Sequence, residues 1–158
     1  MEDDNDASKV WDVVEKVGIA MVITRDGDLL EGRPMQARPD AKAGLIYFMT
    51  DGETVLGQIA EDSRVMLSFA DKGGQNYASI DGIATITNDR AKIKELWTPW
   101  AKAFWDGPDD PAIRVLVFQP EHARYWDAPN AVVTSFVLLG AALAGKTPEL
   151  GSSGEVKM

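Results

Sequence analysis

The chain has 158 residues, 45% of them hydrophobic and 26% charged, with a formal charge of −9 at pH 7. That length and composition suit one domain around one core and exclude wholesale disorder. The acidic balance opposes the counterion release that drives nucleic-acid binding and the attraction to anionic lipid, so nucleic acid and membrane surfaces are discounted as partners.

The absence of cysteine excludes disulfides, Fe–S clusters, thiolate metal sites and cysteine nucleophiles, and the single His122 excludes any site needing two imidazoles. Met1 to Asp6 (MEDDND) is acidic where a secretory signal is basic, which predicts a cytoplasmic protein. An amphipathic helix is expected next, capped at Asp6 or Ser8, with Val10, Val13, Val14 and Val17 on one face and Gly18 at its end. From Ile19 the pattern changes to short apolar runs broken by turn residues, the signature of an antiparallel sheet. Six strands are predicted, over Ile19–Arg25, Leu29–Ala37, Leu45–Thr50, Val65–Asp71, Tyr77–Thr87 and Ile113–Tyr125. Asp26-Gly27 supplies a tight hairpin turn, Pro34 marks an edge or an interruption, and Gly82 marks a bulge inside the fifth strand.

Helices interrupt the strands at Thr54–Ala60 and Asp89–Trp105, the second divided at Thr98-Pro99. Gly107 to Pro111 (GPDDP) reads as a rigid turn in which Asp109 and Asp110 shape the backbone rather than bind metal. Ala131–Ala144 (AVVTSFVLLGAALA) is too short to span a bilayer and is expected as a buried helix. A single domain over 1–146 is followed by a tail, 147–158, expected to be mobile. Six strands without βαβ alternation argue for a small closed barrel with helices outside it, because closure removes exposed edges.

No phosphate-binding glycine loop occurs, which excludes Rossmann and P-loop chemistry. His122 has no serine or cysteine nucleophile indicated beside it. Two patches point to a ligand. In Arg33-Pro34-Met35 a cation is held beside backbone that a proline leaves open. In Tyr47-Phe48-Met49-Thr50, leading through Asp51-Gly52-Glu53 to Thr54, hydroxyls meet a helix start whose N–H groups could cradle a phosphate that Arg33 neutralises.

RPM at 33–35, LIYFMT at 45–50, YASIDGIATITNDR at 77–90, ELWTPWAKAFWDGPDDP at 95–111 and ARYWDAP at 123–129 occur in this order. Together they resemble the bacterial general stress protein branch of the pyridoxamine-phosphate-oxidase-like FMN-binding split barrels, over roughly Val10 to Lys146. The resemblance implies a mainly β fold with flanking helices, a six-stranded antiparallel split barrel. It also implies a homodimer and FMN in clefts at the dimer interface. Arg33 then matches the residue reaching the flavin phosphate, and Pro34 and Met35 the stretch passing the isoalloxazine ring. Phe48, Met49 and Thr50 match the strand whose backbone and hydroxyl contact the cofactor, Thr54 stands near a phosphate-contacting serine, and Trp97 and Trp126 match aromatic positions near the cleft. One departure is that the family usually has a lysine after that serine, whereas Thr54-Val55-Leu56-Gly57 has none. The resemblance implies a flavin-dependent oxidoreductase of unknown substrate, with no catalytic residue assigned. The alternatives are a flavin-binding or flavin-sensing protein without catalysis and a dimeric scaffold that has lost FMN.

Overall fold

A computed structural model of the chain describes residues 2–54, 59, 63–127, 131–145 and 152–158. Its architecture is mainly β, an antiparallel sheet curled into a split barrel with helices around it. Helix α1 covers Glu2–Val17, β1 Ile19–Asp26, β2 Leu29–Gln36, β3 Arg38–Asp40, β4 Leu45–Asp51, β5 Ser63–Asp71 and β6 Asn76–Thr87. Helix α2 (Arg90–Leu96), a 3₁₀ turn (Pro99–Ala103), β7 (Ile113–Asp127), α3 (Ala131–Ala144) and β8 (Ser152–Lys157) complete the described elements. The strands run in the order β2-β1-β5-β6-β7-β4-β3, and β8 adds to the far half of β7.

Among the described residues there are eight strands where six are expected. The predicted second strand, Leu29–Ala37, ends at Gln36, and two residues later the chain starts β3 at the opposite edge of the sheet. Pro34 and Pro39 lie on these two edge strands, where a missing N–H interrupts no ladder. The tail expected to be mobile contributes β8, which pairs with β7 from His122↔Lys157 to Asp127↔Ser152 and buries Val156. Its short alternation in a Gly- and Ser-rich setting is a weak strand signal that the open flank of β7 overrides.

Helix α1 starts at Glu2, four residues or more before the expected cap, and Asp6 lies inside it, its carboxylate accepting from the Tyr125 hydroxyl at 2.8 Å. Val10, Val13 and Val14 project from α1 into the barrel core beside Phe48, Phe69, Ile80 and Phe118, and Gly18 leaves the helix at φ 74°. The first hairpin forms, but its two-residue loop is Gly27-Asp28, one residue later than the expected Asp26-Gly27: Asp26 pairs with Leu29 as the last strand residue, and Gly27 takes the positive φ, 59°. The helix predicted over Asp89–Trp105 breaks after Leu96, with Trp97 extended and the chain turning again at Pro99. Asp89 caps α2 by accepting from the N–H groups of Ala91 and Lys92. Most of the Thr54–Ala60 helix expected from sequence lies outside the described residues.

Helix α3 forms where predicted, but Leu138, Leu139 and Leu143 are 46%, 58% and 82% exposed, so the expectation of a buried helix fails for them. The helix lies between β7 and β8 in the chain. No helix among the described residues is long and apolar enough to cross a membrane.

The bulge at Gly82 organises the longest strand. Asp81 pairs with His122 and Gly82 with Pro120, leaving Glu121 as an extra residue on β7. Before it, Leu116, Phe118 and Pro120 face the barrel interior; after it, Ala123 and Tyr125 do. Without the extra residue, one half of β7 would turn its apolar side to solvent. A Cβ on Gly82 would overlap the carbonyl oxygen of Gln119. Gly82→Ala is therefore expected to destabilise the fold by about 1 to 3 kcal/mol in urea melts. Gly107→Ala, where added volume meets nothing, is the near-neutral comparison.

Asp71 closes the β5–β6 hairpin by accepting from the Gly74 N–H at 3.1 Å, with the Lys16 ammonium 4.0 Å away. The Gly74 hydrogen bond, with help from Asn76 and Lys16, holds the carboxyl below its ordinary value of 3.8. A depressed folded value means the stabilisation is complete above 3.8 and is lost as pH falls through the folded value. The stability advantage of the parent over Asp71→Asn should shrink as pH is lowered from about 5 to about 2, checked by urea melts across that range.

Candidate functional site

A cavity of about 420 Å³ opens where the two sheet edges meet. Its volume falls in the range of small-molecule sites, roughly 300 to 1,000 Å³. One wall comes from the edge strands, Arg33 to Gln36 on β2 and Arg38 on β3; the floor comes from Met49, Thr50 and Asp51 at the end of β4, with Thr54 after it. The remaining wall comes from Leu96 at the end of α2 and from residues between Thr98 and Trp105.

Strand alternation decides what each β4 residue offers. Ile46, Phe48 and Thr50 turn into the barrel, while Tyr47 and Met49 turn outward under α2, where Ile93, Leu96, Ile113 and Val115 form a second core. The cavity wraps the strand's end, so Met49 from one face and Thr50 from the other both line it. Thr50 is buried, and its hydroxyl lies 3.1 Å from that of Thr54, which itself donates to the Asp51 carbonyl at 2.8 Å. The Asp51 carboxylate is turned back on its own loop, accepting from the Glu53 N–H at 2.8 Å.

Two cations reach this cavity. The Arg33 guanidinium is half-buried and donates to Glu31 at 3.1 Å, a contact that another anion can compete for because partly exposed ion pairs hold weakly. Arg38 donates to the carbonyl of Leu96 at 3.0 Å, tying the edge strand β3 to the end of α2. That carbonyl belongs to the helix's last turn, where a positive charge is favoured. Arg38 was not among the sequence candidates, though a signal existed: the Arg-Pro pair at 33–34 recurs at 38–39.

The structure brings together Arg33, Pro34, Met35, Met49, Thr50 and Thr54 from the sequence candidates. It does not bring the others to the lining. Phe48 is fully buried in the barrel core, Trp97 packs half-buried on the second core, and Trp126 stands on the far half of β7 opposite Tyr77. The aromatics that do line the cavity are Trp100, Phe104 and Trp105. The WxxxxW spacing of Trp100 and Trp105 carried no distinguishing signal, because large aromatics mostly signify packing.

His122 lies elsewhere, exposed on the outer face and 3.4 Å from Asp81 within a surface network that includes Arg64 and Glu121. Asp110 shapes its turn by accepting from the Ala112 N–H, as expected of a turn former. No group of residues able to hold a metal ion occurs among the described residues. The cavity's donor set, guanidinium and hydroxyl groups beside thioether and aromatic walls, suits a ligand with an anionic end and a flat apolar body.

Known proteins resemble the chain over most of its length. The general stress protein 26 structure from Jannaschia sp. CCS1 is 28% identical, with a TM-score of 0.79 over 98% of this chain and 99% of that one. The general stress FMN/FAD binding protein from Xanthomonas citri is 26% identical, with a TM-score of 0.69 over 78% of this chain and 89% of its own. General stress protein 26 of Bacillus subtilis is 28% identical over 97 residues, 59% of this chain and 69% of that protein. The family model for pyridoxamine 5′-phosphate oxidase like proteins matches residues 5–149. By that match the chain belongs to the pyridoxamine 5′-phosphate oxidase-like family.

Proposed function

We propose that the chain is a flavin-binding protein that holds FMN in this cavity and works as a flavin-dependent oxidoreductase. The observation that carries the proposal is the cavity's division between guanidinium and hydroxyl groups on one hand and Met35, Met49 and aromatic side chains on the other. Arg33, Thr50 and Thr54 would hold the phosphate, and Pro34, Met35 and Met49 would lie along the ring system. Arg38 supplies the second positive charge that the missing lysine would otherwise bring. Bound flavin supplies hydride or single-electron transfer, while the protein supplies position and electrostatics. The similar protein from Xanthomonas citri, described as FMN/FAD binding, supports the same reading.

A second reading, flavin binding without catalysis, is favoured by one observation: among the described residues neither histidine nor lysine lines the cavity to move a proton. Reduction of bound flavin by NAD(P)H distinguishes the two. The absorption spectrum of the purified protein, with the ligand's identity by mass spectrometry, tests the flavin assignment common to both.

The working unit is a homodimer. Leu138, Leu139 and Leu143 on α3 and Ile19, Met21, Met66 and Trp126 on the sheet remain exposed on a single copy, apolar side chains that a second copy would cover. Light scattering at micromolar concentration should return the mass of two chains.

Arg33→Ala should weaken FMN by about tenfold in equilibrium titrations and riboflavin by less than about twofold, because only FMN carries the phosphate. Equal loss for both removes Arg33 from the phosphate. Glu31→Gln frees the Arg33 guanidinium and should tighten FMN by about two- to threefold, an effect that fades as salt rises.

A further inference from the structure

Among the described residues one buried side-chain polar atom has no hydrogen-bond partner, the Thr24 hydroxyl on β1. The residue is 5% exposed and turns to the same side of the strand as Ala20 and Val22, which are fully buried in the barrel core. Valine has the same shape without the cost of an unpaired hydroxyl, so core packing does not explain the threonine.

The neighbouring strand supplies a reason for it. Thr24 stands directly opposite Glu31 on β2, and the next pair on the same face sets Val22 opposite Arg33. Directly opposed residues keep their Cβ atoms about 4.5 to 5.5 Å apart on one face of the sheet. The Glu31 carboxylate thus has two donors at hand, the Arg33 guanidinium two residues along its own strand and the Thr24 hydroxyl across the ladder. It accepts from Arg33, at 3.1 Å, and leaves Thr24 unpaired. Of these three residues Arg33 lines the cavity, while Glu31 and Thr24 stand behind it.

An anion that takes Arg33 strips Glu31 of its donor. By rotating across the ladder the freed carboxylate gains a charge-assisted hydrogen bond, and the buried hydroxyl gains the acceptor it lacks. We propose that Thr24 is a positioning residue for the ligand's phosphate: it takes over the Glu31 carboxylate when the phosphate takes Arg33. Glu31 is then a two-position carboxylate, on Arg33 in the ligand-free protein and on Thr24 in the liganded one. The proposal rests on the flavin reading in placing a phosphate at Arg33, and it holds equally for any phosphate monoester.

The test compares the parent, Thr24→Val, Thr24→Ser, Glu31→Ala and the double variant Thr24→Val/Glu31→Ala, each as the full chain. FMN and riboflavin are measured by equilibrium dialysis and inorganic phosphate by phosphorus NMR titration. Thr24→Val should weaken FMN and phosphate by about three- to fivefold and leave riboflavin unchanged, and Thr24→Ser should recover most of the loss. With Glu31 replaced by alanine, Thr24→Val should change none of the three affinities, because no carboxylate remains to be received. The ligand-free Thr24→Val protein should unfold in urea at or above the parent's midpoint, whereas loss of a structural hydroxyl lowers it. The proposal is overturned if Thr24→Val binds FMN and phosphate as the parent does, if riboflavin is weakened in parallel, or if the loss persists without Glu31. It is also overturned if Thr24→Ser recovers nothing, if ligand-free Thr24→Val is less stable than the parent, or if neither phosphate nor FMN binds the parent. If phosphate behaves as expected and FMN does not bind the parent, the flavin reading fails and this one stands.

Discussion

One buried alanine ties the edges of the sheet together. Gln36 ends β2 at one edge and Arg38 starts β3 at the other, so Ala37 alone carries the chain across. Its neighbours' Cα atoms can be no more than roughly 7 Å apart, and a seven-strand path whose ends are that close must curl on itself. Ala37 is buried, and its N–H donates to the Gly18 carbonyl at 2.8 Å, which fixes the crossing where α1 hands over to β1. The cavity is a direct product of this closure. Its two guanidinium groups come from strands at opposite ends of the sheet order, five residues apart in sequence, and meet only because the sheet is rolled.

Closure also places demands on β7, which runs Ile113–Asp127 and pairs along one flank with β6 and along the other with β4 and then β8. Its first half separates the barrel core from the second core under α2; its second half closes the barrel beneath α1. No single alternation phase satisfies both. The extra residue at Glu121 changes phase midway, and Gly82 on β6 is the side of the bulge with no room for a side chain. Through Ile113 and Val115 the first half supports α2, and through α2 it supports the segment that carries the aromatic wall.

Local patterns in the sequence announced most of these parts. The valines at 10, 13, 14 and 17, the turn glycine at 27, the proline at the sheet edge and the glycine bulge each rest on short-range physics, and each sits where that physics puts it. What stayed hidden depends on closure or on distant partners. β3 is three residues long and has meaning only as the other edge of the barrel; β8 forms because β7 leaves a flank open beyond the end of β4. The same division holds at the cavity. Arg33, Met49 and Thr50 stand on regular strands and could be placed from alternation and motif, whereas Arg38 and the 98–105 segment reach it through the crossing at Ala37 and the hydrogen bond from Arg90 to the Pro108 carbonyl. Phe48 shows the limit of motif matching: strand alternation commits its side chain to the core, leaving only its backbone for any ligand.

Asp127 and Ser152 stand opposite each other on adjacent strands, and α3 lies in the chain between them. A hairpin turn joining the same two residues would preserve every strand pairing of the barrel. The pairing of β7 with β8 thereby sets where the chain leaves and rejoins the sheet, on the half of β7 that lies beyond β4 and the ligand cavity.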